Sequence, residues 1–183
     1  MVPRQERRLL RAIRVGSQEA CAEVVQRNYA SIYRFLFHLS GQASTAEDLT
    51  QETFAAAWAS IDSFRGRASL GTWLHQIAYG KFVDAKRRAK SHQVATERLR
   101  NSKDSTTGVR NPLDEVIANE RSRRICAAVQ ELDGAKQEVI VLHYFQGLSF
   151  RQMAMVLAEP VGTVKWRTSQ ALGRLKMSLD GRL

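Results

Sequence analysis

Residues 147–167 read GLSFRQMAMVLAEPVGTVKWR and carry the strongest structural signal in the chain. Ser149 is followed three residues later by Gln152, a capping-box pattern that predicts the start of a short helix. Pro160 then opens a second helix, whose outer face is basic. Two short helices joined by a tight turn are typical of a helix-turn-helix, in which the second helix enters the major groove of duplex DNA. The stretch therefore predicts a DNA-binding module.

The second helix of this motif has two distinct faces. An apolar stripe of Val164, Thr168, Ala171 and Leu175 recurs at helical spacing and is predicted to face its own domain. A large aromatic on the outer face favours a surface covered by DNA over a plain solvated helix. Side chains suited to phosphates and base edges occupy that outer face: Lys165, Trp166, Arg167, Ser169, Gln170 and Arg174.

The composition points to a polyanionic partner. The chain has 183 residues, with 28 Lys and Arg against 18 Asp and Glu, and a formal net charge of +10. A solvated basic surface would give the same balance. Cys21 and Cys126 stand far apart, and neither they nor the scattered histidines show metal-ligand spacing. No apolar run approaches the ~20 residues that span a bilayer. We therefore expect no metal, no cofactor, no membrane insertion and a cytoplasmic protein.

Helical periodicity dominates the chain and predicts an all-α fold. The second predicted helix has an apolar face that includes Tyr29, and Gly41 ends it. Ser44 with Glu47 predicts a capping box at the start of the third helix. Predicted helices cover about 4–14, 19–39, 45–60, 72–89, 113–131, 134–145, 149–157 and 161–179.

A polar segment separates two helical regions. Residues 93–112 contain almost no large apolar side chains and end at Pro112, which is typical of a flexible linker. The sequence thus predicts two small helical domains, at residues 1–92 and 113–183.

The third predicted helix carries an acidic and amide patch. Asp48, Gln51 and Glu52 share one face at i, i+3 and i+4. On a basic protein such a patch suits a basic protein partner better than DNA. A solvated helix face is the alternative interpretation.

A second nucleic-acid surface is predicted in the first domain. Arg65, Arg67 and Ser69 lie on a glycine-containing loop and offer donors to phosphates and base edges. Trp73 follows them and is suited either to stacking on DNA or to the core. Cations near the end of the next helix fit backbone contacts, although they also stabilise a helix C-terminus: Lys81, Lys86, Arg87, Arg88 and Lys90.

These segments together resemble the extracytoplasmic-function (ECF) class of bacterial sigma factors, within the sigma-70 family. The second domain resembles region 4 of that family through EVIVL at 138–142, YFQGLS at 144–149 and PVGTVK at 160–165. The first domain resembles region 2 through AEDLTQETF at 46–54 and FRG at 64–66. Two blocks in the right order, on either side of a linker, make the resemblance specific.

The resemblance implies a role for each surface. Region 4 would read the −35 promoter element and rest on the β flap of RNA polymerase. The acidic patch would bind the β′ coiled coil. The loop after the third helix would help melt the −10 element and capture an unstacked base. An anti-sigma factor is the implied inhibitor. The chain departs from the family at Ala78-Tyr79-Gly80, where Ala-Arg-Asn is usual, and at Ala158, where a turn glycine is typical.

The leading hypothesis is therefore a sigma factor that binds core polymerase, recognises the −35 and −10 elements and performs no covalent chemistry. An ordinary helix-turn-helix regulator, dimeric and independent of polymerase, is the alternative. That regulator would need neither the acidic patch nor the 64–66 loop. No catalytic triad or phosphate-cradling glycine loop supports an enzyme.

Overall fold

A computed structural model describes residues 4–97 and 120–180, and every regular element within these residues is helical. The all-α prediction is confirmed. A 3₁₀ turn at Ile61–Ser63 and a π-helical stretch at Val141–Phe145 complete the described elements. The α-helices are α1 Arg4–Arg14, α2 Gln18–Ser40, α3 Ala43–Ala59, α4 Leu70–Glu97, α5 Glu120–Gln130, α6 Gly134–Ile140, α7 Phe150–Leu157 and α8 Val161–Asp180.

Helices α1 to α4 form the first bundle, with α2 at its centre. Ser17 caps α2 by accepting a hydrogen bond from the Ala20 amide at 3.2 Å, and Gly41 ends it in the left-handed conformation at φ 71°. The predicted apolar face of α2 is buried except at Tyr29, which is 40% exposed, so that assignment is wrong. Tyr29 instead lies at the bundle's edge, stacked against Phe54 with ring centroids 6.3 Å apart.

Helix α3 begins earlier than predicted. Its first residue is Ala43, and the N-cap is Gln42, whose side chain makes no capping hydrogen bond to the backbone. The predicted capping box at Ser44 and Glu47 is therefore wrong, because Ser44 already lies inside the first helical turn. Thr45 ties this turn together by donating to Gln42 Oε1 at 3.1 Å.

Helix α4 is longer than predicted at both ends. It begins at Leu70 and continues past Ala89 to Glu97, because no glycine or proline interrupts residues 81–97. Residues 93–97, expected in the linker, are therefore helical. The rest of the predicted linker and the predicted helix start at 113 lie outside the described residues.

Helices α5 to α8 form the second bundle. The helical run predicted at 134–145 is present, but its last five residues are π-helical, which the sequence pattern does not reveal. Gly147, at φ 67°, then reverses the chain, and the Leu148 amide donates to the Leu142 carbonyl at 3.0 Å. The core consists of fully buried apolar side chains, among them Val139, Ile140, Val141, Leu142, Met153 and Val164.

Candidate nucleic-acid and polymerase interfaces

The helix-turn-helix consists of α7 and α8. The predicted capping box at the start of α7 is confirmed: the Ser149 amide donates to Gln152 Oε1 at 2.9 Å, and the Gln152 amide donates to Ser149 Oγ at 3.4 Å. The turn that follows places Ala158 at φ 53°, where its amide donates to the Ala154 carbonyl. This fixes the angle at which α8 leaves α7.

The two faces of α8 are separated as predicted. All four members of the apolar stripe are buried, and the hydroxyl of Thr168 is satisfied by donating to the Val164 carbonyl at 2.8 Å. Trp166 is 64% exposed, which is unusual for the largest apolar side chain. The other exposed members of the outer face are Lys165, Ser169, Gln170 and Arg174.

Arg167 differs from its neighbours on α8. Its guanidinium donates to Glu159 Oε1 at 2.7 Å, and only 18% of its side chain is exposed. Glu159 lies in the turn before α8, so this ion pair links the turn to the second turn of the recognition helix. The sequence pattern shows the arginine but not its partner, because the partner precedes the helix.

The acidic patch lies on the outer side of α3, as predicted. Asp48 and Gln51 are exposed, whereas Glu52 is half-buried. Lys81 Nζ of α4 lies 3.4 Å from Glu52 Oε2. Lys81, predicted to contact DNA, is thus placed beside the acidic patch and partly neutralises it.

The loop of residues 64–69 forms one wall of a cavity of about 350 Å³. Arg65 and Arg67 line it and are exposed, and Trp73 lines it while packing on Phe64 with ring centroids 5.0 Å apart. One side of Trp73 is thus supported by the core, and the other faces the cavity. An aromatic wall beside two guanidiniums fits an unstacked base and its phosphates.

Ser69 has a structural position. Its hydroxyl accepts a hydrogen bond from the Thr72 amide at 3.2 Å and lies 2.9 Å from Thr72 Oγ1, so it caps the start of α4. Further along α4, Arg87 pairs with Asp84, while Arg88 is exposed. Together these residues give α4 a capped start and an exposed basic stretch at 86–90, which lies inside the helix and not, as expected, at its C-terminus.

The two bundles contact each other through α4 and α7 and through α2 and the π-helical stretch. Gln152 Nε2 donates to Thr72 Oγ1 at 3.1 Å, and Ser31 Oγ donates to Gln146 Oε1 at 2.8 Å. Met155 of α7 lines the same cavity as Trp73. In this arrangement the first helix of the helix-turn-helix forms part of the wall of that cavity.

Three titratable groups lie at this boundary. Tyr79 donates to Glu138 Oε2 at 2.9 Å, and burial raises the pKa of both groups. His75 is buried, and this burial lowers its pKa. Its Nδ1 lies 2.8 Å from the Gly71 carbonyl and its Nε2 3.4 Å from Gln146 Oε1.

Residues 4–97 and 120–180 contain no cluster of three or more side chains that would hold a metal ion. Over the same part of the chain, no helix combines the length and apolar character required to cross a membrane.

Residues 24–92 match the family described as Sigma-70 region 2, and residues 128–177 match Sigma-70, region 4. The chain is 31% identical over 176 residues to the ECF RNA polymerase sigma factor SigW of Bacillus subtilis, covering 93% of this chain and 94% of SigW. It is similar to CnrH in complex with the cytosolic domain of CnrY, with a TM-score of 0.71 and 25% identity over 96% of this chain and 97% of that one. The sigma factor RpoE in complex with the anti-sigma factor NepR from Bartonella quintana shares the fold, with a TM-score of 0.70 and 24% identity over 87% of this chain and 96% of that one.

On a basic all-helical protein, a short capped helix, a tight turn and a second helix with an exposed basic face are typical of helix-turn-helix DNA-binding proteins. The two region matches and the SigW likeness are more specific: the chain belongs to the ECF RNA polymerase sigma factors. It acts with core RNA polymerase in promoter-specific transcription initiation. A polymerase-independent regulator is not favoured, because the region 2 match covers most of a first bundle that such a regulator does not need.

Proposed function

We propose that α8 reads the −35 element, that the 64–69 loop and α4 engage the −10 element, and that α3 binds the polymerase core. The observation that carries the assignment of α8 to DNA is Trp166, exposed on a helix whose opposite face is buried. Covering the solvent-facing indole between Lys165 and Arg167 with a DNA groove is favourable, because it removes apolar surface from water.

For the −35 element, the side chains with reach are those on the outer face of α8. Lys165 and Arg174 suit phosphates or guanine, Gln170 suits adenine, and Trp166 suits a thymine methyl. Ser169 completes the face. We assign Arg167 mainly to phosphate contact from its position beside Glu159, since its donors are partly occupied. The far side of this bundle would rest on the β flap.

For the −10 element, the cavity beside Trp73 is the proposed base pocket. Arg65 and Arg67 would hold the adjoining phosphates, and Arg87 and Arg88 would continue the basic track along α4. Ser69 contributes by capping α4 rather than by direct contact. Because Met155 of α7 also lines the pocket, a base bound there would lie beside the second bundle.

For the polymerase, Asp48, Gln51 and Glu52 form the proposed contact with the β′ coiled coil. The acidic charge there is strongest at Asp48, since Lys81 offsets Glu52. A charged rim of this kind steers association with a basic partner.

We further propose that a protein inhibitor of the anti-sigma type binds this chain. The support is that RpoE, which shares the fold, was solved with an anti-sigma factor. Because α4 continues to Glu97, we propose that the first domain extends to residue 97, with a connecting segment at 98–112 and the second domain at 113–183. We also propose that the protein performs no covalent chemistry and acts in the cytoplasm with core polymerase.

Run-off transcription with purified core polymerase, followed by mapping of start sites, tests the function. We expect initiation at a defined set of promoters that share two sequence elements. The Arg65→Ala and Trp73→Ala variants should assemble holoenzyme but open these promoters poorly. Failure of the unaltered chain to direct initiation on any genomic template would refute the proposal.

A further inference from the structure

A second hollow lies on the other side of the 64–66 segment, between it and α1. Its volume is about 570 Å³, and four arginines line it against a single aspartate, Asp62. Three of these arginines belong to α1, namely Arg7, Arg11 and Arg14, and the fourth is Arg65 of the loop. None of the surfaces assigned above includes α1.

The arginines of α1 form one continuous row. Arg7, Arg11 and Arg14 follow one another at i, i+4 and i+7, and all three are exposed. Because a helix rises 1.5 Å per residue, the row is roughly 10 Å long. Like charges at this spacing destabilise an isolated helix, and a bound anion would relieve that repulsion.

The row is held in place by contacts at both ends of α1. Glu6 accepts a hydrogen bond from the Leu70 amide at 3.0 Å, which directs this carboxylate towards the start of α4. Arg14 donates to the Phe64 carbonyl at 2.9 Å, and its Nε lies 3.8 Å from Asp62 Oδ1. Arg14 thus positions the 64–66 segment, and the side chains of Arg7 and Arg11 line the hollow.

The hollow and the proposed base pocket lie on opposite sides of the 64–66 segment and share it as a wall. Phe64 and Arg65 line both cavities, so a strand whose base enters beside Trp73 would pass Arg65 and reach α1. The hollow's lining is rich in guanidinium and has Leu10 as its floor, which suits phosphates better than a neutral ligand.

We propose that the α1 hollow binds the sugar–phosphate backbone of the melted strand next to the −10 element. This inference rests on the proposed −10 function. The hollow would add affinity without adding sequence preference, because its donors meet phosphates rather than base edges.

The test uses holoenzyme assembled from the full chain and fluorescent single strands, measured by anisotropy. One strand contains the mapped −10 element alone, and two others extend it on the 5′ or the 3′ side. The variant is Arg7→Gln with Arg11→Gln, which keeps helix propensity. The matched control is Arg8→Gln, an exposed arginine of α1 that does not line the hollow.

We expect one extension to tighten binding by the unaltered protein and the double variant to lose that gain, by on the order of tenfold. Its log–log salt slope should fall by about 1.4, which is two single-strand phosphate contacts at ~0.7 each. The control should keep the gain, and all three proteins should bind the unextended element equally.

Equal binding of the extended strands by the double variant and the unaltered protein would overturn the proposal. A second outcome would also overturn it. If strand extension has no effect and a nucleoside triphosphate binds only when Arg7 and Arg11 are both present, the hollow is a site for a free nucleotide. If the unaltered holoenzyme fails to bind even the unextended element, the proposed −10 function fails first and this inference falls with it.

Discussion

Tyr79 of α4 donates a 2.9 Å hydrogen bond to Glu138 of α6 and thereby joins the two bundles. Burial raises the pKa of Glu138, while Tyr79, Lys86 and Arg167 oppose that shift. The link is a single hydrogen bond from a neutral hydroxyl to a partly desolvated carboxylate.

Tyr79→Phe removes this hydrogen bond and should shift the protein towards separated bundles. The expected loss is about 1–2 kcal/mol of interdomain stability, because a partly buried carboxylate loses its donor. Small-angle scattering should show a larger radius of gyration than for the unaltered chain. Tyr144→Phe, at an exposed tyrosine of the second bundle, is the control. An unchanged radius in both variants would show that the contact does not maintain the packing.

His75 makes the packed state sensitive to acid. Burial lowers its pKa, so the folded protein favours the neutral ring. Its contribution to stability is therefore complete above the ordinary value of 6.5 and is lost as the pH falls through 6.5 towards the lowered pKa. The stability contribution of Glu138 depends on pH in the opposite direction. Because burial raises the pKa of Glu138, that contribution is present at low pH and is lost as the pH rises.

His75→Asn separates the two effects, because an amide retains a donor towards the Gly71 carbonyl but does not titrate. Urea unfolding at pH 7.5 and 5.5 should show that the unaltered chain loses more stability on acidification than the variant does. A variant that loses as much as the unaltered chain would assign the acid sensitivity to other groups.

Ala158 holds a conformation that suits glycine. Its φ of 53° lies in the left-handed region, where a Cβ costs roughly 1–2 kcal/mol. Ala158→Gly relieves this strain but adds freedom to the unfolded chain, so we expect a net stabilisation of about 0.5–1 kcal/mol. Thermal unfolding should show a higher midpoint. Ala135→Gly, at an exposed position early in α6, should show a lower one. A lower midpoint for both variants would mean that the turn accommodates alanine without strain.

The sequence predicts correctly those features that depend on residues a few positions apart in the chain. The stripe of α8 and the capping box at Ser149 repeat or pair within a few residues, and both are present in the structure. The end of α4 was predicted from a drop in apolar content. Helices end instead where the backbone meets a breaker or loses its hydrogen bonds, and residues 81–97 contain no glycine or proline.

Long-range pairs had no signal in the sequence. Tyr79 and Glu138 are 59 residues apart, and each has an ordinary helical neighbourhood. The pairing of Arg167 with Glu159 crosses from a turn into a helix, so no i, i+4 rule indicates it. The outer face of α8 was therefore predictable as a surface, whereas the availability of each side chain on it was not.

Asp48→Arg should abolish or strongly weaken assembly with core polymerase. The substitution places a cation on the surface assigned to a basic partner, where like charges cost several kcal/mol in binding. Fluorescence-detected binding to core enzyme checks it, and binding of the same variant to −35 duplex DNA should stay normal. Glu19→Arg, which reverses an exposed charge at the start of α2, should assemble normally. If the Asp48 variant assembles as well as the Glu19 variant, α3 is not the contact.

On α8, Lys165 and Arg167 should behave differently despite their shared helix. Lys165 is exposed, so Lys165→Ala should cost about 1–3 kcal/mol of binding to −35 duplex DNA if it meets a base, with a smaller salt slope if it meets a phosphate.

Arg167 is held by Glu159, whose Oε2 is buried without a hydrogen-bond partner in the part of the chain that the structure describes. Arg167→Ala should therefore also reduce stability, since it leaves that carboxylate unpaired. Glu159→Gln keeps an acceptor but loosens the pair, and it should tighten DNA binding by freeing the guanidinium. Anisotropy titrations of all three variants, paired with urea unfolding, separate these effects; weaker DNA binding by Glu159→Gln would show that the ion pair presents Arg167 to DNA instead of restraining it.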